Sequence, residues 1–356
     1  MLENRLSHLN PFFEEYALKA ILFTDLRNIR FLCGFTGTEG ALLMSPGHAW
    51  FLCDSRYTAQ AAEEVHGAEI RECGAIRIET IAALADEYGL DRIGFEAAHT
   101  TVTSFRRLSE KLNGIELIEV GSKLDEIRIR KDNAETALLS AVATISSQSL
   151  VAILAAIKPG IREVDIALAL ELEMRRRGAD GKAFEFIVAS GERGAMPHGV
   201  ASSKIINSGE LVTIDFGAIK DGYHSDETVT VACGKPDLRA EDIHSVVRAA
   251  HDLAISAVRP GISCKDLDEI ARGYIREKGY GDYFGHGLGH GIGLEIHEMP
   301  TLSPRSTAVL DEGMVITIEP GIYIPGFGGV RIEDTVVVTG DGCVVITSAD
   351  KQLLVL

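Results

Sequence analysis

Asp215, Asp226, Glu319 and Glu333 stand where a water-facing role does not explain them. Asp215 closes the apolar run 211–214, and Glu319 closes 315–318 in the same way. Asp226 opens a strand-like stretch through Val229 and Val231, and Glu333 lies in Val330-Arg331-Ile332-Glu333-Asp334. A buried carboxylate without a partner is costly, and a bound cation offsets that cost. Lys220-Asp221-Gly222-Tyr223 carries the Asp-Gly signal of a two-residue hairpin turn, which pairs Lys220 with Tyr223 and predicts Asp215 opposite Thr228. Asp226 then shares the face of Thr228, a diagonal neighbour of Asp215 at about 7–8 Å. Arg331, two residues from Glu333, faces the same way as that acid.

An imidazole is expected from Phe284-Gly285-His286-Gly287-Leu288-Gly289-His290-Gly291-Ile292-Gly293-Leu294-Glu295-Ile296-His297. Its five glycines between Gly285 and Gly293 oppose a helix and set His286, His290 and His297 on an extended backbone that can approach a ligand closely. Four carboxylates and one imidazole form a hard, oxygen-rich donor set suited to Mn²⁺, Fe²⁺ or Co²⁺ and open to Zn²⁺. That set holds more negative charge than one divalent ion needs, so two ions are expected.

The elements that must gather these residues repeat. Ile157-Lys158-Pro159-Gly160-Ile161, with a following helix that ends at Arg176-Arg177-Gly178, recurs as Val258-Arg259-Pro260-Gly261-Ile262 with a helix that ends at Glu277-Lys278-Gly279. Each copy leads into a strand pair that carries two of the acids. Two such helix-helix-hairpin units imply pseudo-twofold symmetry with a site at their junction. Ahead of them, short apolar runs alternate with helical patterns, and residues 41–44 and 49–53 read as a hairpin across Ser45-Pro46-Gly47-His48. The expected division is a smaller α/β domain at 1–125, in which nothing looks catalytic, and a second domain at 126–356 that opens with a helix near 133–157.

A net charge of −17 and the lack of clustered Lys and Arg speak against nucleic acid as a partner. The charged start of the chain, and the absence of any stretch read as a span of about 18–20 apolar residues, give a cytoplasmic expectation with no membrane partner. Six scattered cysteines form no Cys-x-x-Cys pair and read as small buried hydrophobes.

Asp215, Asp226, His290, Glu319 and Glu333 together resemble the ligand set of the pita-bread metallopeptidases, which include methionine aminopeptidase, aminopeptidase P and prolidase. Ala195-Met196-Pro197-His198-Gly199, the segment 286–297 and Gly328-Gly329-Val330-Arg331-Ile332-Glu333-Asp334 are similar to the Xaa-Pro branch. Residues 28–37 and Asp54-Ser55-Arg56-Tyr57 are similar to the N-terminal domain of prolidases and creatinases. Phe327 departs from the family's frequent Trp, a difference that bears on substrate fit.

The resemblance implies an α+β fold: a C-terminal pita-bread domain preceded by a smaller α/β domain. It further implies a homodimer and an enzyme that cleaves the bond between an N-terminal residue and proline in a di- or oligopeptide. Of the five ligands, Asp226 and Glu333 would bridge two ions, Mn²⁺ first among those named. Glu319 would also take the proton of the attacking water, His198 and His297 would steady the oxyanion and the proline side, and His286 and Arg331 would support ligand carboxylates and the substrate's end. The complete ligand set separates the chain from creatinase and from non-catalytic peptide-binding and histone-chaperone relatives. A methionine aminopeptidase shares all five ligands but usually lacks an N-terminal domain of this length.

Overall fold

The computed structural model describes residue 5 and residues 8–74 and 76–356. The chain divides into two compact units, with the division falling between Arg128 and Ile129. In the first unit, β1 (Ala20–Phe23), β2 (Ala41–Ser45), β3 (His48–Cys53), β4 (Glu69–Glu72), β5 (Arg92–Phe95) and β6 (Glu116–Glu119) form one mixed sheet in the order β4-β3-β2-β1-β5-β6. Ser45 pairs with His48, so Pro46-Gly47 is the two-residue turn of an antiparallel hairpin. β3 and β4 are parallel across the helix Thr58–Glu64, and β5 and β6 across the helix Val102–Lys111. Such crossovers cover the sheet, which is why β1 to β3 are almost continuously apolar.

The second unit opens with the helix Asn133–Ile153, started by a capping box in which Asp132 accepts from the Glu135 amide and Glu135 accepts from the Asp132 amide. By length and composition this helix, continued to Ala156, is apolar enough to cross a membrane, a feature the sequence reading overlooked. Here its polar side chains tie it into the domain. Ser146 and Ser147 bond Ser225 and Glu227, at 2.5 and 2.6 Å.

Both repeats begin with a helix pair, Asn133–Ile153 with Glu163–Arg176 and Leu238–Ala257 with Cys264–Glu277. Gly160 and Gly261 occupy equivalent turns at φ of 97° and 86°, a left-handed conformation that costs glycine little. In the first repeat, β7 (Gly181–Lys182) lies beside β10 (Ala218–Lys220), which pairs with β11 (Tyr223–His224). β8 (Ile187–Ser190) lies beside β9 (Glu210–Phe216), which pairs with β12 (Glu227–Cys233). In the second, β13 (Gly289–Gly291), β14 (Glu298–Leu302), β15 (Val315–Ile318), β18 (Asp334–Val338) and β19 (Cys343–Val345) run in the order β14-β13-β15-β18-β19, and β16 (Gly321–Ile324) pairs with β17 (Gly328–Arg331).

One hydrophobic core underlies the second hairpin. Val247, Ala250 and Ala254 of one helix and Leu267, Ala271 and Ile275 of the next pack with Ile316, Ile318, Val330, Ile332 and Val336. Each of the larger side chains buried there stabilises the fold by about 1.5–3 kcal/mol, and the strand backbones that carry the acids are fixed accordingly.

Candidate metal centre

The turn at Asp221-Gly222 determines the first half of the site. Both residues have positive φ, 48° and 72°, and Lys220 pairs with Tyr223. The same count continues to the pairing of Asp215 with Thr228, so Asp226 lies diagonally across from Asp215. The second hairpin places its acids differently from the first. Ile318 pairs with Asp334 and Gly321 with Arg331, which sets Glu319 across from Glu333. At that point the two strands part: the Glu319 amide bonds the Leu288 carbonyl and the Glu333 amide bonds the Thr228 carbonyl. Glu333 therefore joins the second hairpin to the first, and Thr228 Oγ1 donates to Glu333 Oε2 at 2.6 Å.

Donor atoms of Asp226, His290 and Glu333 lie within 4.8 Å of one another. His290 Nε2 is 3.6 Å from Asp226 Oδ2 and 3.5 Å from Glu319 Oε1. The glycines that flank His290 answer to neighbouring strands rather than to a ligand. A Cβ on Gly289 would meet the Thr317 carbonyl oxygen at 2.1 Å, and one on Gly291 would meet that of Met299 at 2.1 Å. β13 is thus wedged between β14 and β15, and the imidazole projects from it toward the acids.

His290 Nδ1 lies 3.0 Å from the Gly291 carbonyl, an acceptor, so Nδ1 carries the ring proton. Burial pushes this imidazole down to about 4, so it is neutral and Nε2 presents a lone pair to two carboxylates. Once these carboxylates are ionised, acceptor faces acceptor, and a shared cation resolves the conflict. Asp215 Oδ1, Asp226 Oδ1 and Glu333 Oε1 are also buried and without a hydrogen-bond partner among the described residues. These donors fit divalent ions, with a neutral imidazole oriented by its other nitrogen.

Without ions, burial and mutual repulsion raise the acids: Glu319 is pushed up to about 8, and Asp226 and Glu333 well above the usual carboxylate range. Cations bind the ionised form, so below about pH 8 their binding expels protons and affinity climbs with pH, while His290, already neutral, contributes none. Mn²⁺ titrated calorimetrically at pH 7 in two buffers of different ionisation enthalpy should show net proton release. Equal heats in both buffers would contradict the protonated cluster.

Arg331 connects the site to its surroundings. Its Nη2 donates to Asp215 Oδ2 at 2.5 Å, and Nη1 donates to Tyr323 Oη at 2.8 Å and to the Pro197 carbonyl at 3.1 Å. Tyr323 Oη lies 2.8 Å from His286 Nε2, and His286 Nδ1 lies 2.8 Å from the Gly287 carbonyl. His286 is also neutral, pushed down to about 4 mainly by burial, so the tyrosine donates to it. Arg331 thus touches a ligand carboxylate directly, and the His286 ring reaches the cluster through Tyr323 and Arg331. His297 is exposed, with its ring edge-on to His290 at a centroid distance of 4.4 Å. His198 is exposed on the loop before Gly199, next to Pro197, whose carbonyl accepts from Arg331 Nη1. Phe327 packs on the hydrophobic core with Arg239 over its ring at 4.5 Å. Sequence reasoning missed Tyr323, Thr228 and Thr317, whose Oγ1 accepts the His290 amide at 3.1 Å. The available signal was a hydroxyl on an otherwise apolar strand.

Residues 137–340 match metallopeptidase family M24, and residues 5–130 match the creatinase/prolidase N-terminal domain. A curated relative, the uncharacterized peptidase YqhT of Bacillus subtilis, is 44% identical over 352 residues, spanning 99% of this chain and 100% of that protein. An Xaa-Pro dipeptidase of Pyrococcus furiosus is 37% identical over 359 residues, 99% of this chain and 100% of that protein. Among solved structures, an Xaa-Pro dipeptidase from Bacillus anthracis superposes with a TM-score of 0.98 at 41% identity over 100% of both chains. An X-Pro aminopeptidase from Thermotoga maritima superposes with a TM-score of 0.91 at 36% identity over 96% of this chain and 99% of that one. With both of its domains matched and its fold shared along the whole chain, this protein belongs to metallopeptidase family M24, an α+β pita-bread domain preceded by a creatinase/prolidase N-terminal domain.

Proposed function

We propose that this protein hydrolyses the peptide bond between an N-terminal residue and proline, using Asp215, Asp226, His290, Glu319 and Glu333 to hold two divalent ions. The observation that carries the reading is the proton-free Nε2 of His290 aimed at Asp226 and Glu319, beside buried carboxylate oxygens that lack partners. Bound ions would supply Lewis acidity to the scissile carbonyl and acidify the attacking water.

The chain's own groups do the rest. Glu319, at 18% exposure more open than the other acids of the cluster, takes the water's proton and returns it to the departing proline nitrogen. His297, edge-on to His290, and His198, next to the Pro197 that Arg331 holds, are both exposed and steady the carbonyl oxygen and the proline side. Arg331 and Tyr323 hold Asp215 in place from behind. Proline offers no amide N–H and a fixed φ, so a pocket shaped to its ring selects the tertiary amide without hydrogen-bonding it. The Xaa-Pro relatives support this substrate class. Mn²⁺ as the ion, a homodimer, and a cytoplasmic setting belong to the same reading.

Chelator-stripped protein should lose hydrolysis of Ala-Pro or Ala-Pro-Ala and regain it with Mn²⁺ or Co²⁺. Faster cleavage of Ala-Pro marks a dipeptidase, and faster cleavage of Ala-Pro-Ala an aminopeptidase. Preference for Met-Ala-Ser over both would replace this reading with a methionine aminopeptidase.

A further inference from the structure

Neighbouring residues in a strand point to opposite faces. Asp226 and Glu333 face the metal cluster, so Glu227 and Asp334, the next residue in each case, point into the interior behind it. Glu227 is 0% exposed and Asp334 is 7% exposed, and the two belong to different hairpins. Lys351 reaches both: its Nζ lies 2.6 Å from Glu227 Oε1 and 3.2 Å from Asp334 Oδ1, and the residue is itself only 9% exposed.

The remaining partners bind one hairpin each. Ser147 Oγ donates to Glu227 Oε2 at 2.6 Å and the Ala349 amide donates to Oε1 at 2.9 Å. Thr347 Oγ1 donates to Asp334 Oδ1 at 2.6 Å, and His251 Nε2 lies 3.2 Å from Asp334 Oδ2. The segment that carries Lys351 is anchored in turn. The Leu356 amide bonds the Ala232 carbonyl and the Ala232 amide bonds the Leu354 carbonyl, both at 2.8 Å, beside β12.

We propose that Lys351 is a positioning residue: one buried cation bound behind both Asp226 and Glu333, which, together with the direct bonds between the hairpins at Thr228–Glu333 and Thr335–Asp226, fixes the spacing of these two carboxylates and so admits a second ion to the centre. A backbone shift of a few tenths of an ångström at Glu227 or Asp334 is carried directly to the ligand beside it. One ion can be held by part of the donor set, whereas two require both hairpins at a fixed separation. This inference rests on the two-ion reading of the site.

The test is a Mn²⁺ titration of the stripped full-length chain, with the electron paramagnetic resonance signal of free Mn²⁺ counting the ions bound. Wild type should bind two. Lys351→Met should keep the first affinity and weaken the second about 10- to 100-fold. Lys351→Arg, which can still reach both acids, should restore the second ion, and His251→Gln, which touches Asp334 but not Glu227, should leave both ions in place. Equal binding of two ions by wild type and Lys351→Met overturns the proposal alone, as does an equal loss in His251→Gln. No binding by wild type overturns the metal reading and the proposal together. If Lys351→Met does not fold, the charge-balanced pair Lys351→Met with Glu227→Gln is read in its place. Failure of that pair to fold also overturns the proposal, because the lysine then serves the fold itself.

Discussion

Asp226→Asn should lower kcat/KM on an Xaa-Pro substrate by about a thousandfold or more, about 4 kcal/mol, the scale of removing one partner from a buried charge cluster. Asparagine keeps the shape but removes the negative charge and can turn an N–H toward His290 Nε2, now 3.6 Å from Asp226 Oδ2. In the stripped protein the same change should not destabilise. Burial first, then Glu333 and Asp215, raise Asp226 well above the ordinary carboxylate range. A group so shifted binds its proton more tightly folded than unfolded, so the metal-free fold loses stability as pH climbs from the ordinary carboxylate value toward the raised one. The amide has no such liability. At pH 7 the variant's Tm without metal should equal or exceed that of wild type, and the rise in Tm on adding Mn²⁺ should shrink. Full activity in this variant would remove Asp226 from the mechanism.

The opposed effects on activity and stability help explain which parts of the site were readable. A segment that must hold lone carboxylates inside an apolar strand breaks the local pattern, and Asp215 after residues 211–214 is visible for that reason. The register of its hairpin was readable as well, because Asp221-Gly222 encodes the turn locally and every pair outward follows by counting. The second hairpin turns through Pro325-Gly326-Phe327, with Ile324 opposite Gly328, and no two-residue signal anchors the count. The placement of Glu319 across from Glu333 was therefore not readable by counting. Local pattern alone did not choose among His286, His290 and His297, and the family resemblance named His290; the carbonyls of Thr317 and Met299 that press on Gly289 and Gly291 are packing facts from other strands. Thr228 and Tyr323 are ordinary strand residues by type. Thr228 becomes functional only by bonding a partner 105 residues away.

Arg331→Met tests the part of the site that sequence order conceals. Arg331 is 3% exposed, and its guanidinium serves Asp215, Tyr323, the Pro197 carbonyl and, at 3.3 Å, Thr228. Methionine fills similar space but leaves the Asp215 carboxylate buried beside other acids without its cation, a loss of about 3–5 kcal/mol. For a chain of this size that corresponds to a fall in Tm of very roughly 10 °C in stripped protein. Added Mn²⁺ supplies positive charge to the same carboxylate and should recover part of the loss, so the Tm gap between stripped and loaded protein widens, opposite to Asp226→Asn. Activity should still fall about a hundredfold or more, about 3 kcal/mol, because charge alone does not orient Asp215. Arg331→Lys should be intermediate: a compact ammonium can meet Asp215 but cannot span to Tyr323 and Pro197 as a planar fork does. Tyr323→Phe, which leaves the ion pair intact, should cost only about 1 kcal/mol. If stripped Arg331→Met melted at the wild-type temperature, Asp215 would not depend on this arginine, and the support behind the first hairpin's ligand would have to come from elsewhere.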